Sequence, residues 1–376
     1  MKLLIINSEY PPIGAGAGNA SANIARQLVE LGNEVVVVTA GYEGLVQDEK
    51  VNGVRILRGP SSRKRVDRST ALEQVVFMIG AAIRCLDLLR SFRPEAVLAF
   101  FGLPSGAVAW FLKSIFGIPY VVSLRGGDVP GFRPYDFWLY HRIAVPWLRI
   151  VWHGADAVVA NSRGLRDLAK AFDPTVEIAI VPNGVDHERF MTADRAWSVP
   201  RILSVGRIVH QKGLDLALMA LAGLQDLAWE WRIAGDGPQL GSLKQTIVRE
   251  GLQERIHFLG WTRADALIKE YQAASLFVFP SRHEGMPNAL LEAMASGLPV
   301  IASRISGNEE LVVSGETGLL VPPEDTDALR ESLRALLTDE AARARMGRAA
   351  QIRAAEKFGW AAATSQYQQM LERAVR

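Results

Sequence analysis

The chain is poor in the residues that build disulfide frameworks, metal centres and membrane spans. Cys85 is the one cysteine in 376 residues. That excludes a disulfide framework and a cysteine metal site, and it fits a reducing cytoplasm. The six histidines show no metal-ligand spacing. A single Asp-x-Asp occurs, Asp325 and Asp327 in "PEDTDALRE", at a helix start where capping explains it. No metal and no resident cofactor are expected. Long apolar runs are also missing. "MKLLIINSEYPP" has four consecutive apolar residues before Asn7, fewer than the ~7–15 of a signal peptide, and reads as a first strand. "VVFMIGAAIRCLDLLR" is broken by Arg84 and Asp87 and falls short of the ~20 residues that cross a bilayer. Membrane contact, where it occurs, is expected to be peripheral. A cytoplasmic protein is expected, free or held on the cytoplasmic face of a membrane. The net charge of +2 gives no reason to expect nucleic-acid binding.

What is present is α/β alternation. "KLLIINS", "EVVVVTA", "GVRILRG", "EAVLAF" and "PYVVSLRG" read as strands. Helical patterns such as "NASANIARQLVELG" and "SGAVAWFLKSIFG" fall between them. Nearly continuous apolar strands alternating with helices predict parallel sheets covered on both faces. "GVDHERFMTADRAWSVP" interrupts the alternation, and it restarts at "RILSVGR". Two domains are expected: 1–190, and 197–360, with a terminal helix over 361–376. Ligands of such doubly wound sheets bind at the carboxyl ends of the strands.

Three motifs fall at those ends. The first is "NSEYPPIGAGAGNAS", with Gly14, Gly16 and Gly18. It is not a dinucleotide fingerprint, since Pro11 and Pro12 lengthen the turn and strand two ends without an acid for a ribose. A loop admitting substrate or phosphate is the preferred reading, and a loop needed only for close packing is the other. No Walker lysine exists, because "GDGPQLGSLK" lacks the Gly-Lys-Ser/Thr ending. The second motif, "SVGRIVHQKG", places Gly206, Arg207 and Lys212 at one strand–helix connection. Two cations there can neutralise a diphosphate without a metal, or they are simply solvated.

The third is "RHEGMPNALLEAMASG", with Glu284 and Glu292 eight positions apart. Asn288 is expected to cap a helix whose first amides, at Asn288, Ala289 and Leu290, form an anion site. Carboxylates beside phosphate repel it unless each accepts hydroxyl hydrogen bonds, one from a ribose and one from a hexose. That is the geometry of a sugar nucleotide. Two exposed acids on an amphipathic helix remain the alternative.

These motifs resemble one family. "EGMPNALLE" is similar to the Glu-x7-Glu signature of the retaining glycosyltransferases of family 4, which have the GT-B fold of two Rossmann-like domains facing a deep cleft. "PPIGAGAGNASANIARQL", "VPNGVDHERF", "IAGDGP", "HFLGW", "GLPVIAS" and "SGNEELV" follow in the family's order, over about Lys2 to Trp360. The resemblance implies transfer of a hexosyl group from a nucleoside diphosphate sugar to a hydroxyl acceptor, with an α-linkage. It implies that Arg207 and Lys212 bind the diphosphate, Glu284 the transferred sugar and Glu292 the donor ribose. Backbone from Gly285, Met286 and Pro287 to Leu290 would cradle the distal phosphate. Gly16, Gly206, Gly260 and Ser306-Gly307 would border the donor, and the terminal helix would cross back onto the first domain. A catalytically idle sugar-nucleotide sensor and a nucleotide-sugar epimerase are the competing readings.

One segment departs from the pattern. In "VVSLRGGDVPG" Arg125 stands where many members have histidine, followed by Gly126, Gly127 and Asp128. Arginine stays protonated, so Arg125 is excluded as a general base and is instead suited to clamp a phosphate or an anionic acceptor. Asp128 either orients an acceptor hydroxyl or forms the turn. Gly14, Gly18, Arg125 and Gly127 are the acceptor-side candidates. The acceptor class stays open among glycan, lipid and small molecule, including lipid-linked or phosphorylated ones. Six basic residues between Arg55 and Arg68 suit anionic lipid or a phosphorylated acceptor, although a mobile solvated loop is the preferred reading. Between Phe132 and Trp152, aromatics interleave with arginines, and buried helix packing accounts for most of them.

Overall fold

A computed structural model of the chain describes residues 1–14, 16–60, 62–63, 65, 69–132, 134–191 and 199–376, with side chains outside 134–141. The chain divides into two compact units, Met1–Asn183 with Trp360–Arg376, and Gly184–Gly359. In the first, strands β1 (Lys2–Asn7), β2 (Glu34–Ala40), β3 (Asp48–Val51), β4 (Val54–Gly59), β5 (Ala96–Phe100), β6 (Tyr120–Leu124), β7 (Ala157–Ala160) and β8 (Ile178–Ile180) form one sheet. Its order is β3-β4-β2-β1-β5-β6-β7-β8. All pairings are parallel except β3 with β4. β3 was not anticipated, because "DEKV" is a polar edge strand with no apolar run.

Helices α1 (Gly16–Glu30), α2 (Ala71–Ser91), α3 (Gly106–Phe116), α4 (Pro134–Gly154) and α5 (Arg163–Phe172) connect these strands. Both faces of the sheet are covered, as continuous apolar strands require. On one face Leu4, Ile6, Val97 and Val122 pack with Phe77, Leu112, Leu148 and Leu165 of α2 to α5. On the other, Leu3, Ile5 and Leu98 pack with Ile24 and Leu28 of α1 and with Tyr367 and Leu371 of the terminal helix. α2 starts in a capping box. Thr70 Oγ1 accepts from the Glu73 amide at 3.3 Å, and the Thr70 amide donates to Glu73 Oε2 at 2.7 Å.

The basic run departs from the expected solvated loop. Arg58 is 2% exposed and donates to the carbonyls of Val46 and Pro11 and to Glu49. Arg63 is 8% exposed, donates to the Ser8 carbonyl at 3.2 Å and lies 3.9 Å from Glu9. Two of the six cations therefore sit under the glycine loop and fasten it, and Lys64 and Arg68 lie outside the described residues.

The second unit repeats the plan. Strands β9 (Arg201–Val205), β10 (Glu230–Ala234), β11 (Ile256–Gly260), β12 (Leu276–Phe279), β13 (Val300–Ser303) and β14 (Gly318–Val321) form an all-parallel sheet in the order β11-β10-β9-β12-β13-β14. Its helices are α6 (His187–Phe190), α7 (Leu214–Ala222), α8 (Leu240–Arg249), α9 (Ala264–Ala273), α10 (Asn288–Ala295), α11 (Ser306–Glu309), α12 (Thr326–Thr338) and α13 (Glu340–Lys357). The chain returns to the first unit in α14 (Trp360–Val375). Among the described residues, no helix is long and apolar enough to cross a membrane.

Candidate active site

Strand order fixes where each unit's loops converge. In the second sheet β9 lies between β10 and β12, so the chain winds away from β9 in one direction and then in the other. The connections after β9 and β12 leave on opposite sides of this switch point, where doubly wound sheets bind ligands. The first carries Gly206, Arg207 and Lys212, and the second carries Arg282 to Pro287. Glycines let them touch. A Cβ on Gly213, at φ +63°, would lie 2.0 Å from the Pro280 carbonyl oxygen. A Cβ on Gly307 would lie 2.2 Å from the Gly285 oxygen, so the first turn of α11 closes on the same place.

The Lys212 ammonium lies 2.7 Å from Glu284 Oε1 and 4.8 Å from the centre of the Phe279 ring. Both charged side chains are largely buried, at 19% and 8% exposure. Arg207 is half-buried and makes no ion pair or side-chain hydrogen bond among the described residues. Arg207, Lys212 and Gly206 line one small recess. One recess thus holds two cations, of which a carboxylate balances one. A buried excess of positive charge favours an anion.

Sequence reasoning missed what holds the two loops in register. Arg282 donates to both Asp215 oxygens at 2.9 and 2.8 Å, to Glu324 at 2.6 Å and to the His210 carbonyl at 2.6 Å. Its own amide donates to the Gln211 carbonyl, and Gln211 Nε2 donates to the His283 carbonyl. Hydrogen bonding to Asp215 raises the Arg282 pKa further above its usual range. Burial works to raise the Asp215 carboxyl, but Arg282 outweighs it and holds that carboxyl below the usual range. These partners lie 42 to 72 positions apart in the chain, and no local spacing announces them.

At α10 the expected cap moves by one residue. Pro287, at φ −78° and ψ 114°, is the N-cap, no side chain caps the helix, and Asn288 is already helical. Proline's fixed φ suits the residue just outside the first turn. The Leu290 amide donates to the Pro287 carbonyl at 3.2 Å, so it belongs to the turn and not to the expected set of anion-facing donors. Glu292 lies one turn in, half-buried, and its Oε2 accepts from Tyr271 Oη at 2.9 Å. Burial pushes the Glu292 carboxyl up to about 7, against the pull of the Tyr271 hydrogen bond and the Arg189 charge. Tyr271 was also missed: it reads as an ordinary core aromatic of α9, and its side chain is indeed 0% exposed. Gly260, at φ +67°, ends β11, and its carbonyl accepts from the Gly235 amide.

The first unit gathers its own candidates. Its switch point falls between β1 and β5, and the glycine loop leaves β1 there. Gly14, at φ +85°, leaves room for a Cβ only 2.5 Å from that of Glu9, Gly16 opens α1, and Gly18 faces the Ile13 carbonyl. Buried Asn7 ties the loop by donating to Ser21 Oγ at 2.8 Å and accepting from the Glu9 amide. After β6, Arg125 stacks 4.5 Å from the Phe100 ring centre and donates to Asn183 Oδ1 at 2.7 Å and to Tyr367 Oη at 3.4 Å. Its Nε is buried without a hydrogen-bond partner. Burial pulls the Arg125 pKa down, while Tyr367 and Asp128 oppose that. Asp128 accepts from the amides of Gly102, Arg125 and Gly126 at 2.7 to 3.0 Å and is 2% exposed. That is the turn-forming reading: both oxygens are spent on backbone, which leaves none aimed at an acceptor. Gly127 sits half-buried within this turn.

Asp325 caps α12 through the Ala328 amide at 2.9 Å, and Asp327 pairs with Arg330. Among the described residues, no three His, Cys, Asp or Glu side chains gather as metal ligands would.

Residues 14–189 match the family model described as Glycosyltransferase Family 4, and 196–353 match that of Glycosyl transferases group 1. A sulfoquinovosyl transferase of Arabidopsis thaliana is 30% identical, over 93% of this chain and 69% of its own. The chain belongs to glycosyltransferase family 4. A second relative of this family 4 enzyme is the GDP-mannose-dependent alpha-(1-6)-phosphatidylinositol monomannoside mannosyltransferase of Mycolicibacterium smegmatis, 27% identical over 95% of each chain. Among solved structures, sucrose-phosphate synthase from Thermosynechococcus elongatus superposes with a TM-score of 0.88 at 21% identity, covering 99% of this chain and 98% of that one. The family 4 chain thus has the GT-B fold, and as a hexosyltransferase its chemistry is glycosyl transfer.

Proposed function

We propose that this glycosyltransferase moves a hexosyl group from a nucleoside diphosphate sugar to a hydroxyl acceptor, retains the anomeric configuration and forms an α-linkage without a metal. The observation that carries this is the Lys212–Glu284 pair beside Arg207 at the switch point of the second sheet. A diphosphate entering there meets Arg207 and draws Lys212 toward itself. Glu284 is then released to accept hydroxyls of the sugar, and its burial keeps water from competing. As the glycosidic bond breaks, charge builds on the leaving phosphate, where the two cations stabilise it most. They do there what a divalent ion does elsewhere. The backbone of Gly206, Gly285, Met286, Pro287, Asn288 and Ala289 cradles the distal phosphate, and Glu292 takes the ribose. Gly260 and Ser306-Gly307 border the donor. No nucleophile stands out, so substitution on one face is favoured, with the departing phosphate assisting acceptor deprotonation.

On the acceptor side, Gly14, Gly18 and Gly127 shape the loops and Asp128 holds the turn that aims Arg125. A buried guanidinium with an unsatisfied Nε favours an acceptor bearing phosphate or carboxylate. Lys212→Ala and Glu284→Ala should each lower kcat by about 10²–10³-fold, and each should also lower the melting temperature, because the remaining charge of a largely buried pair loses its partner. Turnover within threefold of wild type in either variant overturns the assignment. The anomeric coupling constant of the product tests retention, and full turnover after EDTA dialysis tests metal independence.

A further inference from the structure

Arg125 is a cation that the fold holds in place without neutralising. Among the described residues no carboxylate forms an ion pair with it, although an arginine this enclosed is ordinarily paired. Asp128, the acid whose charge reaches it, spends both oxygens on the amides of Gly102, Arg125 and Gly126. Two neutral groups hold the guanidinium instead. Nη1 donates to Asn183 Oδ1 at 2.7 Å, and Nη2 donates to Tyr367 Oη at 3.4 Å. An amide and a phenol fix the direction of a guanidinium and leave its charge uncancelled. A carboxylate at either position would have paired with it. Of the five N–H groups of the side chain, one on each Nη is used and one on each remains, a pair able to grip two oxygens of one anion.

The alternation of β6 explains why a residue of the terminal helix arrives here. Val122 and Leu124 face one core of the first unit, while Val121, Ser123 and Arg125 turn to the other, which α14 covers. Tyr367 is 1% exposed and shares that second core with Phe100 and Val121. Its hydroxyl lies 2.7 Å from Ser123 Oγ, itself fully buried. Because Tyr367 Oη accepts from Arg125, its own proton is left for Ser123 Oγ. Ser123 thus fixes the phenol, and the phenol fixes the guanidinium. A ring packed in this core would fill the same space as phenylalanine, so packing does not account for the hydroxyl. The place is also where a ligand belongs. Phe100, whose ring lies under Arg125, ends β5 beside the switch point of the first sheet.

We propose that Tyr367 and Asn183 are positioning residues for acceptor recognition. They aim Arg125 and keep its charge available, so that an acceptor carrying carboxylate or phosphate is selected over its neutral counterpart. This rests on the transfer reaction proposed above and adds to it the groups that choose the acceptor.

The test uses the full chain and three matched sugars: glucose, glucose 6-phosphate and glucuronate. Binding is read by equilibrium dialysis, with the donor site saturated by the nucleoside diphosphate that most raises the melting temperature. Transfer is read with the corresponding sugar nucleotide. Wild type should bind one charged sugar about 10–100-fold more tightly than glucose, and which one separates phosphate from carboxylate. Tyr367→Phe should raise the KM of that sugar about three- to tenfold, with kcat changed less than twofold and glucose unaffected. Combined with Arg125→Met, it should add nothing to the loss from Arg125→Met alone, because it acts through that residue. Asn183→Asp distinguishes positioning from a structural role. It should erase the preference for the charged sugar while the melting temperature holds or rises, since the new carboxylate pairs with the guanidinium. Equal affinity of wild type for all three sugars overturns the proposal. So do additive losses in the Arg125→Met, Tyr367→Phe double variant, and an Asn183→Asp chain that keeps the preference or loses it only by melting lower. A charged sugar that is bound preferentially but never glycosylated upholds this inference and counts against the proposed reaction. Transfer to glucose at the same KM as to its charged counterparts does the reverse.

Discussion

Glu292 is where a single residue's environment is most legible as chemistry. Its carboxyl is pushed up to about 7 by burial, with Tyr271 Oη as its hydrogen-bond donor. For an acid with a raised pKa, stability is fully present below the unfolded value near 4.5 and is lost as pH rises through the folded value near 7. Glu292→Gln removes the ionisation. The variant and wild type should therefore have equal urea midpoints near pH 4.5, and by pH 8 the variant should be the more stable by at most about 3 kcal/mol. A wild type whose midpoint does not fall relative to the variant over that range would show that the carboxyl is not raised. With nucleoside diphosphate sugar present the order should invert above pH 7, because a ribose hydroxyl is held best by the ionised form. The sequence supplied Glu292 through its spacing from Glu284. It did not supply Tyr271, because a buried tyrosine of α9 looks like any core aromatic until the fold brings Glu292 to it.

At the scale of elements, the two site loops are only as well placed as the contact between them. Arg282, 7% exposed, bridges the β12–α10 loop to Asp215 of α7, to Glu324 and to the turn before α7. Its partners are 44% and 57% exposed, so solvent discounts the pairs heavily. Arg282→Met should cost about 1–3 kcal/mol of stability. The larger effect should be on turnover. Glu284 sits two residues further on, and a displacement of about 1 Å can cost about 10²-fold. Steady-state kinetics should show kcat falling by about 10–100-fold with donor KM changed less than fivefold. Glu324→Ala, which leaves the Asp215 contact, should stay within a few-fold of wild type. If Arg282→Met melts lower but turns over normally, Arg282 is structural alone. Strand and helix positions were readable because both rest on local periodicity, and β1, β2 and the motif-bearing connections fell where alternation and glycines placed them. β3, with its polar "DEKV", has no such period. The N-cap at Pro287 differed from the expected Asn288 because backbone dihedrals, not side-chain type, decide which residue is the last outside the helix. The burial of Arg58 and Arg63 under the glycine loop is likewise a tertiary fact that a count of charges cannot contain.

For the molecule as a whole, the division at Asn183/Gly184 and Gly359/Trp360 makes the second unit an insertion with both ends together. The Val185 amide donates to the Phe358 carbonyl at 2.7 Å, and Val185 bridges to Gly359 in parallel, so the entering and leaving segments are fastened side by side. Both cores of this unit are drawn from within Gly184–Gly359: Ile202, Leu218, Trp231 and Leu333 on one face, Phe277, Leu291, Met294 and Ala350 on the other. A segment with its own cores and adjoining ends has what independent folding requires. Residues 184–359 expressed alone should melt in one cooperative transition. The preferred nucleoside diphosphate should raise that melting temperature by mass action, by about 2.7 kcal/mol of apparent stability at a hundredfold excess over Kd. Removing residues 360–376 from the full chain should have the opposite effect on the other unit. Trp360, Ala363, Tyr367 and Leu371 are buried against the first sheet and α1. At about 1.5–3 kcal/mol for each large apolar side chain, their loss approaches the whole stability of an ordinary domain. Calorimetry of the truncated chain should then lose the first unit's transition and keep the nucleotide-responsive one. An excised second unit that stays unfolded, or a truncated chain that keeps both transitions, would show that the two units do not hold their stability separately.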